Sequence, residues 1–167
     1  MEKIDKIIFE SKEERYDYLN MMLEGLISEE KDWLANLSNA SALMWMLMED
    51  INWVGFYLYK NSELVLGPFQ GKPACTHIEI GKGVCGTAAG TRITQLVRDV
   101  HEFPGHIACD SESNSEIVVP IIKNNNLIGV LDIDSPILNA FNEEDQKFIE
   151  KSVSILVKYI EFPNEFI

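Results

Sequence analysis

A β-hairpin in the C-terminal third of the chain restricts the fold more than any other feature. Two runs rich in β-branched residues, Glu116–Ile122 and Leu127–Asp134, flank the polar segment Lys123-Asn124-Asn125-Asn126. This pattern predicts two antiparallel strands joined by a tight turn. A fold that contains this hairpin must therefore be built around an antiparallel sheet.

The segments around the hairpin predict helices before it and after it. Apolar residues recur at helical spacing from Ser11 to about Leu26 and from about Lys31 to Glu49, and Asn142 caps a last amphipathic segment. Further strands are predicted at Asn52–Tyr59, at Leu64–Leu66 before Gly67-Pro68, at Thr76–Ile80 and at Thr94–Val97, with a short helix at Val84–Ala89. We expect an α+β fold with a mostly antiparallel sheet and the terminal helices packed on one face.

Chain length favours one domain rather than two. The chain has 167 residues, of which 46% are hydrophobic, which is enough for a single compact core. We expect residues 1–167 to form one domain, with N-terminal helices at about 11–50, the sheet and its loops at about 51–136, and the C-terminal helix at about 142–161.

The charge balance excludes several kinds of partner. Acidic residues number 27 against 14 basic ones, so the formal net charge is -13. Such a chain is repelled by phosphate backbones and by anionic lipid surfaces, and we expect neither nucleic acid nor membrane as a partner. The mixed charges at the start of the chain and the lack of a long apolar run predict a cytoplasmic protein.

Three carboxylates are predicted to meet at one end of the hairpin. Asp132 and Asp134 flank Ile133, so the period of two places both carboxylates on one face, about 6 to 7 Å apart. The turn near Asn125 brings Glu116 on the partner strand close to Asp134. Such a cluster could bind an ammonium group or a metal ion, because a cation relieves the repulsion between the carboxylates. The alternative is a solvated acidic face.

Two other features indicate a ligand pocket. Trp53 and Tyr57 share one face of a predicted strand and could form an aromatic wall, although, taken alone, core packing is the more common reason for such a pair. The small-residue helix that starts at Gly83 offers backbone N–H groups that could hold a ligand carboxylate. Cys85 lies in its first turn, and this position predicts a lowered thiol pKa.

The cysteines allow three interpretations. They could be inert buried thiols, or they could join histidines in a zinc site made of Cys75, His77, Cys85, His106 and Cys109, although the spacing fits no common zinc pattern. The third is redox catalysis, in which Cys109 attacks and Cys75 or Cys85 then closes a disulfide.

Five segments, taken together, resemble the free methionine-(R)-sulfoxide reductases, a family built on a single GAF domain. These segments are Asn52-Trp-Val-Gly-Phe-Tyr57, Gly81-Lys-Gly-Val-Cys-Gly86, Gly105-His-Ile-Ala-Cys-Asp110, Ser115-Glu-Ile-Val-Val-Pro120 and Val130-Leu-Asp-Ile-Asp-Ser135. The resemblance implies a GAF-like fold with the ligand pocket on the sheet face opposite the terminal helices. A non-enzymatic GAF sensor of small molecules is the alternative function.

The resemblance also implies roles for individual residues. Cys109 matches the thiol that becomes a sulfenic acid, Cys75 its resolving partner, and Cys85 a further redox cysteine and rival nucleophile. The substrate-binding positions that the resemblance implies are Trp53, Tyr57, Glu116, Asp132 and Asp134. It implies reduction of free L-methionine (R)-sulfoxide, no bound metal or cofactor, regeneration by an external dithiol such as thioredoxin, and a homodimer.

Overall fold

A computed structural model describes residues 7–105 and 111–163 of the chain. His106 and Cys109, which the sequence singles out, lie outside the described residues. The elements of the described parts follow one another as α1 (Lys12–Ile27), α2 (Trp33–Leu47), β1 (Trp53–Lys60), β2 (Glu63–Gly71), β3 (His77–Glu79), α3 (Gly83–Thr91), β4 (Gln95–Val97), a 3₁₀ turn (Val100–Glu102), β5 (Ser115–Lys123), β6 (Asn126–Ser135) and α4 (Glu143–Tyr159).

The strands form one six-stranded sheet in the order β3-β2-β1-β6-β5-β4, and every neighbouring pair is antiparallel. The hairpin of β5 and β6 is confirmed: Lys123 pairs with Asn126 across a two-residue turn. Asn124 and Asn125 both have positive φ, which asparagine tolerates better than other side-chain-bearing residues and which a tight hairpin turn requires.

Two separate apolar clusters cover the two faces of the sheet. On one face, alternate residues of β1, represented by Val54, Phe56 and Leu58, pack with residues of α1, α2 and α4. On the other face, Trp53 and Tyr57 pack with the short helix α3. The predicted α+β fold with its terminal helices on one face is therefore confirmed, and the division of β1 residues between the faces follows the predicted alternation.

The second strand is longer than the sequence predicts. The pattern places its end at Gly67-Pro68, whereas β2 continues to Gly71. A β-bulge makes this continuation possible, because the register with β1 shifts between Gly55 and Tyr57, opposite Pro68. At a bulge the ladder is interrupted, so a residue without a backbone N–H is tolerated there.

Side-chain caps begin α1 and α4, and the cap at Asn142 is the one that the sequence predicts. Ser11 accepts a hydrogen bond from the backbone N–H of Glu14, and Asn142 forms a complete capping box with Asp145. None of the helices within residues 7–105 and 111–163 combines the length and the hydrophobicity of a membrane-spanning segment.

Candidate active site

The pocket of interest lies on the sheet face that carries α3. It is lined by strands β1, β5 and β6, by the start of α3 and by the loop between β2 and β3. Its lining residues are Trp53, Tyr57, Pro73, Ala74, Ile78, Lys82, Gly83, Val84, Cys85, Ser113, Glu116, Asp132 and Asp134. All five residues predicted to bind substrate, and Cys85, line this one cavity.

The three predicted carboxylates meet as the strand pattern requires. Glu116 pairs directly with Asp134 in the β5–β6 register, and Asp132 lies two residues back on the same face, while Ile133 is buried in the opposite core. Glu116 and Asp132 are both buried. The alternative of a solvated acidic face is therefore wrong for these two residues. Within the part of the chain that the structure describes, Asp132 Oδ1 accepts no hydrogen bond.

Burial raises the pKa of two of these carboxyl groups. Desolvation, together with the negative charges of Asp132 and Asp134, holds the pKa of Glu116 well above its usual range. Desolvation also raises the pKa of Asp132 to about 6. A proton-bearing carboxyl group inside the pocket near neutral pH follows from this arrangement.

The prediction of a lowered thiol pKa at Cys85 is wrong. Burial, followed by the nearby charges of Asp132 and Glu116, holds the pKa of Cys85 well above its usual range. Cys85 Sγ lies 3.9 Å from Glu116 Oε1, as a donor to that carboxylate oxygen. The start of α3 favours a thiolate, but its effect is modest compared with desolvation beside two acids.

Packing of α3 against the end of β3 brings Cys85 to the carboxylates. A Cβ atom added to Gly86 would lie 2.3 Å from the carbonyl oxygen of Glu79, so only glycine allows this approach. Gly83 and Cys85 are buried in the first turn of α3, and Lys82 is its N-cap without a side-chain cap hydrogen bond. The predicted helix start therefore does face the cavity.

The aromatic wall is formed by Trp53 and Tyr57, which are both almost fully buried. Their ring centroids lie 5.9 Å apart, and Trp53 also stacks on Phe69 at 5.3 Å. A Cβ atom on Gly55 would lie 2.7 Å from the indole of Trp53, so the glycine between the two aromatic residues leaves space for the ring. The wall belongs both to the core and to the pocket, so the two interpretations are compatible.

The polar atoms of the same two aromatic residues hold a loop. Trp53 Nε1 donates a hydrogen bond to the carbonyl oxygen of Lys72 at 3.1 Å, and the Tyr57 hydroxyl donates to the carbonyl oxygen of Cys75 at 2.9 Å. Residues 72–76 connect β2 to β3, and we call them the Cys75 strap. Lys72 also forms an ion pair with Glu112, which follows the Gly105–Asp110 segment in the chain.

The cysteines differ in state. Cys75 is disulfide-bonded, whereas Cys85 is a free, buried thiol. The zinc interpretation is not supported by its described members, because the Cys75 sulfur is engaged in the disulfide and His77 Nδ1 lies 2.9 Å from Glu63 Oε1. The donors that do converge are Cys85, Glu116 and Asp132, whose ligand atoms all lie within 4.8 Å of one another. These atoms could hold a divalent cation.

Several lining residues were not predicted from the sequence. Ser113, Pro73 and Ala74 lie in loops, where no periodic pattern indicates which side chains face a cavity. Lys82 also was not predicted, although it lies inside the Gly81–Gly86 segment, where the sequence does indicate the start of a helix and therefore its N-cap.

Comparison with known proteins defines the class to which this fold and pocket belong. The GAF domain family matches residues 32–158, which is most of the chain. Among solved structures, the X-ray structure of free methionine-R-sulfoxide reductase from Neisseria meningitidis in complex with its substrate is 42% identical, with a TM-score of 0.86. That match covers 92% of this chain and 93% of the other.

Two curated relatives narrow the class further. The free methionine-R-sulfoxide reductase of Escherichia coli (strain K12) is 49% identical over 150 residues, covering 90% of this chain and 91% of the relative. Its counterpart in Saccharomyces cerevisiae (strain ATCC 204508 / S288c) is 51% identical over 156 residues, covering 89% and 87%. This chain belongs to the free methionine-R-sulfoxide reductase family of GAF-domain proteins.

Proposed function

We propose that this protein reduces free L-methionine (R)-sulfoxide to methionine, with its own thiols as the first reductant. The observation that carries the proposal is the pocket itself, in which a proton-bearing carboxyl group at Glu116, beside the buried Asp132, faces the Trp53–Tyr57 wall. One end of this pocket suits a polar, charged amino acid and the other suits a methyl-sulfur group. Family membership supports the same substrate.

We propose one orientation for the substrate in this pocket. The S-methyl end packs on Trp53 and Tyr57, and the sulfoxide oxygen accepts a hydrogen bond from a protonated carboxyl group, for which Glu116 is our choice. The ammonium group pairs with Asp134, which is less buried than the other two acids. The substrate carboxylate then lies at the N-terminus of α3, where backbone N–H groups point outward. A hydrogen bond to the sulfoxide oxygen makes the sulfur more electrophilic.

The chemistry proceeds in three balanced steps. In the first, the Cys109 thiol takes the oxygen atom from the sulfoxide, so that cysteine sulfur is oxidised to a sulfenic acid and the sulfoxide is reduced to methionine. In the second, the Cys75 thiol attacks the sulfenic sulfur, an S–S bond forms and the S–O bond breaks with release of water. In the third, an external dithiol reduces the disulfide and becomes a disulfide itself.

The choice of Cys109 over Cys85 as the attacking thiol rests on acidity. A thiol attacks as thiolate, and the pKa of Cys85 is raised by burial and by two neighbouring acids. The disulfide at Cys75 supports Cys75 as the resolving residue. Cys109 lies outside the described residues, and we propose it as the thiol whose sulfenic acid Cys75 resolves.

A single-turnover experiment without external reductant tests this assignment. Reduced protein is mixed with one equivalent of L-methionine (R)-sulfoxide, methionine is quantified, and the disulfide is mapped by mass spectrometry. We expect methionine and a Cys75–Cys109 disulfide in the wild type, methionine without that disulfide in Cys75→Ser, and no methionine in Cys109→Ser. Cys85→Ser is the matched control and should still form methionine; methionine formation by Cys109→Ser would refute the assignment.

The partners follow from the same chemistry. We propose thioredoxin as the external dithiol and the cytoplasm as the compartment, because a reducing compartment supplies such a dithiol and preserves a free thiol at Cys85. Turnover of L-methionine (R)-sulfoxide coupled to purified thioredoxin and thioredoxin reductase tests whether thioredoxin is the external dithiol.

The homodimer and the single-domain organisation of residues 1–167 stay predictions, which sedimentation and limited proteolysis can check. The sensor alternative is not favoured, since two curated relatives that are 49% and 51% identical over most of the chain are free methionine-R-sulfoxide reductases.

A further inference from the structure

The Cys75 strap is attached to the pocket by the two aromatic residues that were expected only to contact substrate. Both ends of the strap are fixed, because Gly71 ends β2, His77 begins β3, and Leu66 N–H donates a hydrogen bond to the Thr76 carbonyl oxygen at 3.0 Å. Between these ends, the backbone carbonyl oxygens of Lys72 and Cys75 accept hydrogen bonds from Trp53 and Tyr57. The strap therefore depends on side chains of the central strand β1 for its position.

The donor atoms themselves are held rigidly. Tyr57 is 2% exposed and Trp53 is 3% exposed, and their rings stack on each other. Trp53 is fixed further by Phe69 on β2. Because a buried, stacked tyrosine has little rotational freedom, its hydroxyl defines where the Cys75 carbonyl can lie. By contrast, the Lys72–Glu112 ion pair joins two half-exposed side chains, which contributes little in water.

We propose that Tyr57 is a positioning residue for Cys75, whose hydroxyl fixes the strap backbone so that the resolving thiol is held in place to form the disulfide. This inference rests on the proposed function for its redox step, but it concerns disulfide formation rather than substrate binding. The ring of Tyr57 contributes to the aromatic wall, and its hydroxyl serves the strap. Trp53 Nε1 holds the start of the strap in the same way.

The Tyr57→Phe variant separates the two uses of this side chain. It keeps the ring that contacts the sulfur end of the substrate and removes only the hydroxyl that donates to Cys75. Loss of one buried hydrogen bond weakens positioning by roughly 3- to 10-fold. In a single turnover we expect the ratio of the disulfide rate to the methionine rate to fall roughly 3- to 10-fold, and the sulfenic acid to become trappable by dimedone.

Tyr16→Phe is the matched control. Tyr16 is also buried, and its hydroxyl donates a hydrogen bond of 2.8 Å to Asp145, but it lies in the core on the opposite face of the sheet. A general loss of stability would appear in both variants, whereas a positioning effect would appear only in Tyr57→Phe. We expect Tyr16→Phe to change neither the methionine rate nor the ratio of disulfide rate to methionine rate.

A second measurement does not depend on sulfoxide reduction. The equilibrium between the Cys75 disulfide and glutathione reports how well the resolving thiol is held, and we expect Tyr57→Phe to shift it toward the dithiol by roughly 3- to 10-fold. A wild-type protein that forms no methionine would refute the proposed function and leave this equilibrium as the test of the strap. Wild-type disulfide kinetics and a wild-type glutathione equilibrium in Tyr57→Phe would overturn the inference, as would equal slowing of methionine and disulfide formation.

Discussion

Replacing Glu116 with glutamine should change how the stability of the folded protein depends on pH. Glu116 is 5% exposed, and burial together with Asp132 and Asp134 holds its pKa well above the usual range. In the unfolded chain the same group has a pKa of about 4.3. Between these two pKa values, the folded protein binds one proton that the unfolded chain does not bind.

The sign of the effect follows from this difference in bound protons. Stability falls as pH rises wherever the folded state binds more protons, at about 1.4 kcal/mol per pH unit for one group. As pH rises above about 5, Glu116 should therefore lower the free energy of unfolding at about this rate until the pH reaches its folded-state pKa. Glutamine cannot ionise, so the Glu116→Gln variant should lack this loss. The free energy of unfolding of the variant, relative to that of the wild type, should therefore increase with pH.

Chemical denaturation followed by tryptophan fluorescence measures this difference. Unfolding curves of both proteins at about pH 5, 6 and 7, without reductant, give the free energy of unfolding at each pH. The difference between variant and wild type should rise steadily across the series. Glu102→Gln is the control that removes an exposed acid from the 3₁₀ turn, so a rise common to both variants would reflect the change in net charge rather than burial. A flat difference for Glu116→Gln would refute a buried, proton-bearing Glu116.

Three further predictions concern packing, the helix network and thiol reactivity. Gly129→Ala should destabilise the protein by about 3 kcal/mol or more in urea unfolding, because the new Cβ would lie 2.1 Å from the Tyr57 carbonyl oxygen; a stable variant would show that β6 can shift. Asp145→Ala should lower the free energy of unfolding by about 3 kcal/mol, because the Tyr16 hydroxyl loses its acceptor and Lys12 loses its ion-pair partner; thermal unfolding would detect this loss. Cys85 should react with iodoacetamide at least about tenfold more slowly in folded than in denatured protein, and equal rates would contradict its burial.

Features that repeat along one strand were predictable, because a period of two fixes which side chains share a face. That rule placed Asp132 and Asp134 together, sent Ile133 to the other core, and brought Glu116 opposite Asp134 once the Asn124-Asn125 turn was recognised. Each step needed only local geometry. The aromatic wall of Trp53 and Tyr57 followed by the same reasoning.

Features that depend on contacts between distant segments were not predictable. The end of β2 could not be predicted, because the bulge that accommodates Pro68 forms against β1 and no local pattern in β2 indicates it. The acidity of Cys85 was mispredicted because the helix start is visible in the sequence, whereas the carboxylate 3.9 Å away is supplied by Glu116, 31 residues later. The strap was missed for the same reason, since its anchors belong to β1.

The acidic pocket separates the proton donor from the nucleophile. A carboxyl group that keeps its proton needs burial and neighbouring negative charge, and these conditions suppress a thiolate in the same place. Cys85 is subject to both, with Glu116 and Asp132 as its neighbours. One pocket can therefore protonate a sulfoxide or generate a thiolate, but it cannot do both at the same point. In the proposed mechanism the attacking sulfur therefore comes from outside the acidic cluster, which favours a cysteine on a separate segment, as proposed for Cys109, with Cys75 as the thiol that receives the oxidation.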